Sequence, residues 1–395
     1  MAIHKTTRRT KKQSDSLWPD RLRYFESRSD AVVQTIREFV EVESPSDAKV
    51  AGDRMGAILA SKFETLGGRA TVHRAEDYAD NIQIDFPGRE GVKPVLLLGH
   101  FDTVYPLGTL AKMPCHLTSG RLHGPGVLDM KSGIALMFYA IEALKAWHGT
   151  LPRPITVFLV SDEEVGSSSS RKITEALAKK SAAVLVLEPA AGLRGAVKTA
   201  RKGVGEYLLK VEGVAAHAGL DPGKGHSAVV ELARQITSIA TLNDLKQGIS
   251  VNPGVIRGGT RTNVIAAEAI VEIDVRIKSA SQAKHLDRKI RGLKPFDKGC
   301  KLNVEGGINR FPMERTAGVA ALYKKAQGIS RQLDWKLEEA AVGGGSDGNF
   351  TAGMGIPTLD GLGAVGEGAH AVHEYIVISE LPRRALLLAG MIESA

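Results

Sequence analysis

The stretch ITVFLVSDEEVGSSSS, Ile155 to Ser170, runs six apolar or β-favouring residues straight into Asp162, Glu163 and Glu164. Adjacent carboxylates at the end of a buried strand repel one another and lose hydration, so the segment requires either a hydrated turn or a positive partner. Loops carry most acidic clusters, and a single DEE reads first as a hydrated turn. The neighbouring segments shift that reading. PVLLLGHFD (94–102) ends in His100 and Asp102, and AAVLVLEPA (182–190) ends around Glu188. All three runs are continuously apolar, as strands covered on both faces are.

Helical periodicity over Ser132–Trp147 and Arg171–Lys180 separates these runs, and this βαβ rhythm predicts an α/β domain with a mostly parallel sheet flanked by helices. Two further helices are expected upstream, over Asp30–Val42 and Val50–Leu66, before the strand NIQIDF. Past Lys202 the pattern changes. EYLLKVEG, ISVNPGVIRGG and AAEAIVEIDVRIKS alternate, with helices expected from His226 to Leu242 and from Gln282 to Gly292. These fit an inserted two-layer α+β unit. The α/β pattern resumes after Phe311, with helices over Ala317–Gln332 and Ser379–Ile392. The expected division is a basic tail over 1–20, a catalytic domain over 21–202 and 312–395, and an insertion over 203–311.

The chain has 395 residues, 43% apolar and 24% charged, ordinary for a globular protein with sizeable cores. No apolar run reaches the length of about 20 residues that a membrane helix needs, and the N-terminus lacks the apolar centre of a secretory signal. A cytoplasmic location is expected. The net charge of +8 draws on Lys5, Arg8, Arg9, Lys11 and Lys12, which places the excess on a tail rather than on a nucleic-acid-binding face. Cys115 and Cys300 lack metal-site spacing and read as free thiols.

Open α/β sheets bind ligands at the carboxyl ends of their strands, where His100, Asp102, Glu163, Glu164 and Glu188 recur, joined by Asp129 in LHGPGVLDMKSG. A lone histidine or a glutamate after a strand has a structural explanation; repeated occurrence at one edge points to a site. Two residues apart on a continuing strand, His100 and Asp102 share a face, so Asp102 is expected to hold one ring nitrogen while the other binds metal. Carboxylates in excess over imidazole, with no usable thiolate, suit two divalent cations bridged by one carboxylate, zinc being expected and manganese or cobalt the alternatives. One of the adjacent glutamates would then bind metal and the other handle protons.

GHFDTVYP, GPGVLDMKSG, SDEEVGS, LEP, AAHAG and GEGAHAVHE together resemble the motifs of the dinuclear zinc amidohydrolases that include glutamate carboxypeptidases, aminoacylases and acetylornithine or succinyl-diaminopimelate deacylases. The resemblance spans about residues 30 to 390. It implies that Asp129 bridges both metals, that His100 and Glu188 complete one site, and that Glu164 and His370 complete the other. It further implies that Glu163 is the general base, that the insertion is a dimerisation lid whose His217 donates to the oxyanion, and that Asn263 and Arg276 bind the substrate carboxylate. His373 departs from the ligand spacing, since His370 and Glu374 fit the family's His followed four residues later by Glu.

RKGVGEY, GGGSDGNF and PTLDGLGAVGEGAH look most like the glutamate carboxypeptidase branch. The expected activity is release of a C-terminal glutamate, or a similar amino acid, from a small N-acyl or peptidyl conjugate by a homodimer. An N-acyl-amino-acid deacylase is the alternative. A non-catalytic binding protein holding nucleic acid with its basic tail is the rival from another class.

Overall fold

The computed structural model describes residues 17–395. The basic run of the expected tail lies outside the described residues, but the tail does not extend to residue 20. A helix begins at Leu17 and runs to Glu26, burying Phe25, and Arg21 pairs with Glu393 at 2.8 Å. The described residues form two compact units: one runs up to Thr199 and includes Arg315–Ala341 and Ser346–Ala395, and the other comprises Ala200–Glu314 with Val342–Gly345.

The first unit is built on a six-stranded sheet. Its order is Arg69–His73, Asn81–Phe86, Ile155–Val160, Val95–His100, Ala183–Val186 and Thr358–Leu359. The last four strands run parallel, and the first two join as an antiparallel edge, so the sheet is mixed. Leu97, Val157, Leu159 and Leu185 face the larger core, packed with residues of Ser29–Val40, Ser132–His148 and Leu381–Ser394. Their neighbours Leu96, Leu98, Phe158, Val160, Val184 and Val186 face the other way, against Ala178 and Leu177 of Arg171–Lys180. This two-sided burial is why the strands read as continuous apolar runs. Each fully buried side chain of this kind contributes about 1.5–3 kcal/mol, which makes the sheet centre a rigid frame for its loops.

Val95–His100 lies between Ile155–Val160 and Ala183–Val186, so three adjacent parallel strands end side by side. A second, small sheet has the order Gly366–Glu367, Tyr375–Val377, Arg121–His123, His116–Thr118. Tyr375 pairs with His123, which joins the segment leading to Asp129 to the segment carrying His370. Strands of two and three residues leave no periodicity, so the sequence does not announce this sheet.

In the second unit a four-stranded antiparallel sheet has the order Ser250–Gly258, Glu268–Ile277, Gly203–Glu212, Lys301–Arg310. Tyr207, Leu209, Val211, Val271, Ile273 and Val275 alternate onto one face and pack with Leu232, Ile239, Leu286 and Ile290 of the helices Ala228–Ala240 and Ala280–Arg291. The other face carries Glu206 and Glu272, both exposed. A two-layer α+β unit results. Ser279 opens its second helix with a reciprocal cap shared with Gln282, an arrangement in which the cap residue contributes about 1 kcal/mol. Cys115 and Cys300 are free thiols. No helix among the described residues is long and apolar enough to cross a membrane.

Candidate metal centre

The three parallel strand ends deliver the side chains that the sequence singles out. Val95–His100 ends on His100 itself, so Asp102 lies in the loop beyond and the expected continuation of the strand does not occur. The hydrogen bond to the ring changes accordingly. His100 Nδ1 is 3.0 Å from the Asp102 carbonyl and 3.4 Å from Asp102 Oδ1. That carbonyl can only accept, so Nδ1 donates to it, and Nε2, which faces the carboxylates, is the nitrogen that would ligate a cation once its proton is displaced.

The Asp102 carboxylate has further partners. Its Oδ1 accepts from the Glu163 amide at 3.2 Å, and Oδ2 accepts from the Glu164 amide at 3.1 Å and from Ser46 Oγ at 2.7 Å. It therefore fixes the one-turn helix Glu163–Val165 that presents both glutamates. Asp162 points elsewhere. Fully buried, it accepts from the Ser169 amide and from Ser170 Oγ, both at 2.6 Å. The serine run after DEE thus supplies donors for the first of the three carboxylates.

Asp129 stands between two imidazoles. His100 Nε2 lies 3.1 Å from Asp129 Oδ1, and His370 Nε2 lies 3.6 Å from Oδ2. His370 is also 3.1 Å from Glu164 Oε1, and His100 is 3.5 Å from Glu188 Oε1. Two groups have ligand atoms within 4.8 Å of one another: His100, Glu163 and Glu188, and His100, Asp129 and Glu164. His370 reaches the cluster with φ +63, in the left-handed region that costs a residue with a Cβ about 1–2 kcal/mol. Gly126, at φ +70, makes the turn before Asp129; a Cβ there would lie 2.6 Å from the Thr103 methyl. Beyond the turn, buried Lys131 donates to the Val42 carbonyl at 2.7 Å, and burial pushes its pKa down to about 8.

The electrostatics fit a cation site. Burial alone would push His100 down, but its bonds to Asp102, Asp129 and Glu188 outweigh this and hold its pKa well above the ordinary value. The bond to Glu164 raises His370 to about 9 against the opposing effect of burial. Burial also pushes Glu164 up. Carboxylates that hold positive charge on both imidazoles suit divalent cations, and the mixed oxygen and nitrogen donors suit zinc, manganese or cobalt.

The structure thus brings together His100, Asp102, Asp129, Glu163, Glu164, Glu188 and His370. His217, Asn263 and Arg276 belong to the other unit. There His217 bridges Val264, and the Ala218 amide donates to the Asn263 carbonyl. The Gly219 and Leu220 amides donate to His217 Nδ1 at 3.1 and 3.0 Å, which leaves the proton on Nε2 of this exposed ring. Arg276 commits Nε and Nη2 to Asp274 at 3.0 and 2.8 Å. Asp274 was not foreseen, although its spacing of two along a strand places both side chains on one face. Glu374, which the sequence places only as the glutamate four residues after His370, and Tyr105, which it does not single out, also meet at the centre, 2.7 Å apart.

A sequence model of peptidase family M20/M25/M40 matches residues 96–394. The chain is 30% identical over 370 residues to carboxypeptidase G2 of Pseudomonas sp. (strain RS-16), a match covering 92% of this chain and 88% of that protein. It is 27% identical over 313 residues to succinyl-diaminopimelate desuccinylase of Dechloromonas aromatica (strain RCB), covering 75% and 81% respectively. Aminopeptidase PepT from Bacillus cereus ATCC 10987 shares the fold, with a TM-score of 0.78, 24% identity, and coverage of 92% of this chain and 98% of that one.

Proposed function

Because the chain belongs to peptidase family M20/M25/M40, we propose that it hydrolyses an amide bond and releases a C-terminal glutamate, or a similar amino acid, from a small N-acyl or peptidyl conjugate. The observation that carries this reading is the convergence of two imidazoles and three carboxylates with Glu163 beside them. His100 and Glu188 with Asp129 would hold one divalent cation, and Glu164 and His370 with Asp129 the other, zinc being the expected metal. Such cations, when bound, polarise the scissile carbonyl and lower the pKa of water.

Glu163 accepts the proton of the attacking water and passes it to the leaving nitrogen. Asp102 keeps that carboxylate in place by accepting from its own amide. His217, with its Nε2 protonated, is a ready donor for a developing oxyanion. Arg276, its fork oriented by Asp274, and Asn263 would bind the free carboxylate of the substrate. Through the second unit the protein would form a homodimer, with His217 serving the partner's centre. Two free cysteines suit a reducing, cytoplasmic compartment.

Similarity to carboxypeptidase G2 over nearly the whole chain supports the glutamate-releasing reading. Similarity to a succinyl-diaminopimelate desuccinylase supports the second one, an N-acyl-amino-acid deacylase. The test is a hydrolysis screen with zinc-loaded protein against N-acetyl, aryl-acyl and folate-like conjugates of glutamate and other amino acids. Preference for aryl-acyl and folate-like glutamates supports the first reading, and preference for small acyl groups supports the second. Inactivity on every conjugate, in protein that holds its metals, would reject both.

A further inference from the structure

Two loops supply the bridging carboxylate and its neighbouring imidazole, and both meet at one buried side chain. Glu374 follows His370 by four residues at the start of the strand Tyr375–Val377, and it is fully buried. Its Oε1 accepts from the Leu128 amide at 2.7 Å and the Asp129 amide at 3.0 Å. Its Oε2 accepts from the Gly126 amide at 2.9 Å and lies 2.7 Å from the Tyr105 hydroxyl. The same hydroxyl is 3.0 Å from the Ala371 carbonyl, inside the His370 loop. The Glu374 amide closes that loop by donating to the Ala371 carbonyl at 3.1 Å.

We propose that Glu374 is a positioning residue for the metal centre: its carboxylate clamps the Gly126–Asp129 turn to the His370 loop, with Tyr105 as the second arm, and so sets the spacing between Asp129 and His370. This rests on the ligand assignment given above. Three backbone amides of one turn donate to a single carboxylate, an arrangement far more specific than burial of an apolar residue requires. Ordinary packing would be satisfied by any side chain that filled the space. The acceptor pattern is satisfied only by a group with two acceptor oxygens. Both His370, in its left-handed conformation, and Asp129, after the Gly126 turn, need such an external restraint to hold one geometry.

The substitution Glu374→Gln tests the clamp. Both oxygens receive backbone N–H groups, so either orientation of the amide places its NH2 against at least one of them. Cobalt is titrated into the metal-depleted full chain, wild type and variant, while binding heat and the visible absorption of the bound ion are followed. Removal of an outer hydrogen-bond partner typically weakens metal binding ten- to a hundred-fold, and that loss is expected here together with an altered cobalt spectrum. Tyr105→Phe keeps the carboxylate and removes one arm, so a smaller loss in the same direction is expected. Folded Glu374→Gln protein that binds cobalt with wild-type affinity and spectrum, whatever its melting temperature, would overturn the proposal. Should Glu374→Gln fail to fold, Tyr105→Phe decides alone: an unchanged affinity and spectrum overturn the clamp, and a weakened, altered site upholds it. Wild-type protein that binds fewer than two ions would instead reject the ligand assignment, and the clamp with it.

Discussion

Replacing Asp102 by asparagine changes one atom at the point where the His100 loop and the Glu163–Glu164 turn meet. The carboxylate accepts from two backbone amides and a serine hydroxyl, with the His100 ring close by. Ser46 can turn its hydroxyl to suit an amide, but the Glu163 and Glu164 amides cannot reverse. Whichever way the new side chain sits, its NH2 faces one of them. A buried donor left without an acceptor costs about 1–3 kcal/mol, so stability should fall by about that amount. The same displacement reaches Glu164 and Glu163, the proposed ligand and proton carrier. Loss of an outer partner weakens metal binding ten- to a hundred-fold, or about 1.4–2.7 kcal/mol, which matches the cost of one broken amide contact. Urea denaturation of metal-depleted protein and zinc competition against a fluorescent chelator measure the two quantities separately. Wild-type zinc affinity and turnover in Asp102→Asn would refute the view that this carboxylate holds the turn.

The adjacent glutamates should separate cleanly: Glu163→Gln should keep both metals and lose several orders of magnitude in turnover, whereas Glu164→Gln should weaken metal binding itself, and equal metal loss in both would contradict the roles. Arg276→Ala should cost about 2–5 kcal/mol in kcat/KM on acid substrates, and equal wild-type rates on an acid and its amide would remove the carboxylate clamp. The bond to Glu164 lifts His370 above its ordinary value, to about 9. In metal-depleted protein the stability from that pair is therefore fully present below about 6.5 and lost as pH rises through about 9. Zinc must displace this proton, so affinity should rise with pH towards about 9, and calorimetry at pH 7.5 in buffers of different ionisation enthalpy should show proton release; identical heats after dilution correction would count against it. Homodimers of Glu163→Ala and of His217→Ala should each be inactive, while the purified mixed dimer should regain one of its two sites if His217 acts across the interface. An inactive, metal-replete mixed dimer would place His217 in its own chain's site or outside the mechanism.

The parallel core was legible because two-sided burial writes itself as unbroken apolar runs, and the metal centre because polar residues close those runs at one edge. Other parts left weaker traces or were overlooked. The helix Leu17–Glu26 sits beside a basic run whose composition masks the spacing of Trp18, Leu22 and Phe25. The antiparallel edge Arg69–His73 is largely exposed and too polar to stand out. The small sheet that joins the Asp129 and His370 segments is made of strands too short for any periodicity.

Composition and spacing alone do not separate Asp162, Glu163 and Glu164, three acids in succession with three different environments; only the family resemblance assigns the two glutamates different roles. Asp162 turns into the serine run that follows it, where local hydrogen bonds satisfy its charge. Glu164 meets His370, 206 residues away, and Glu163 joins His100 and Glu188. Asp102, roughly sixty residues upstream, takes the amide of each glutamate on one of its oxygens and so anchors the turn from which both project. Charge repulsion along the chain is thus resolved by pointing each carboxylate at a different partner, and those partners are chosen by strand order. Strand order places Val95–His100 next to Ile155–Val160, so the residue after one strand end can grip the turn after the other. The position of the Glu163–Glu164 turn is thus tied to strand order, which brings Asp102 within reach of both amides.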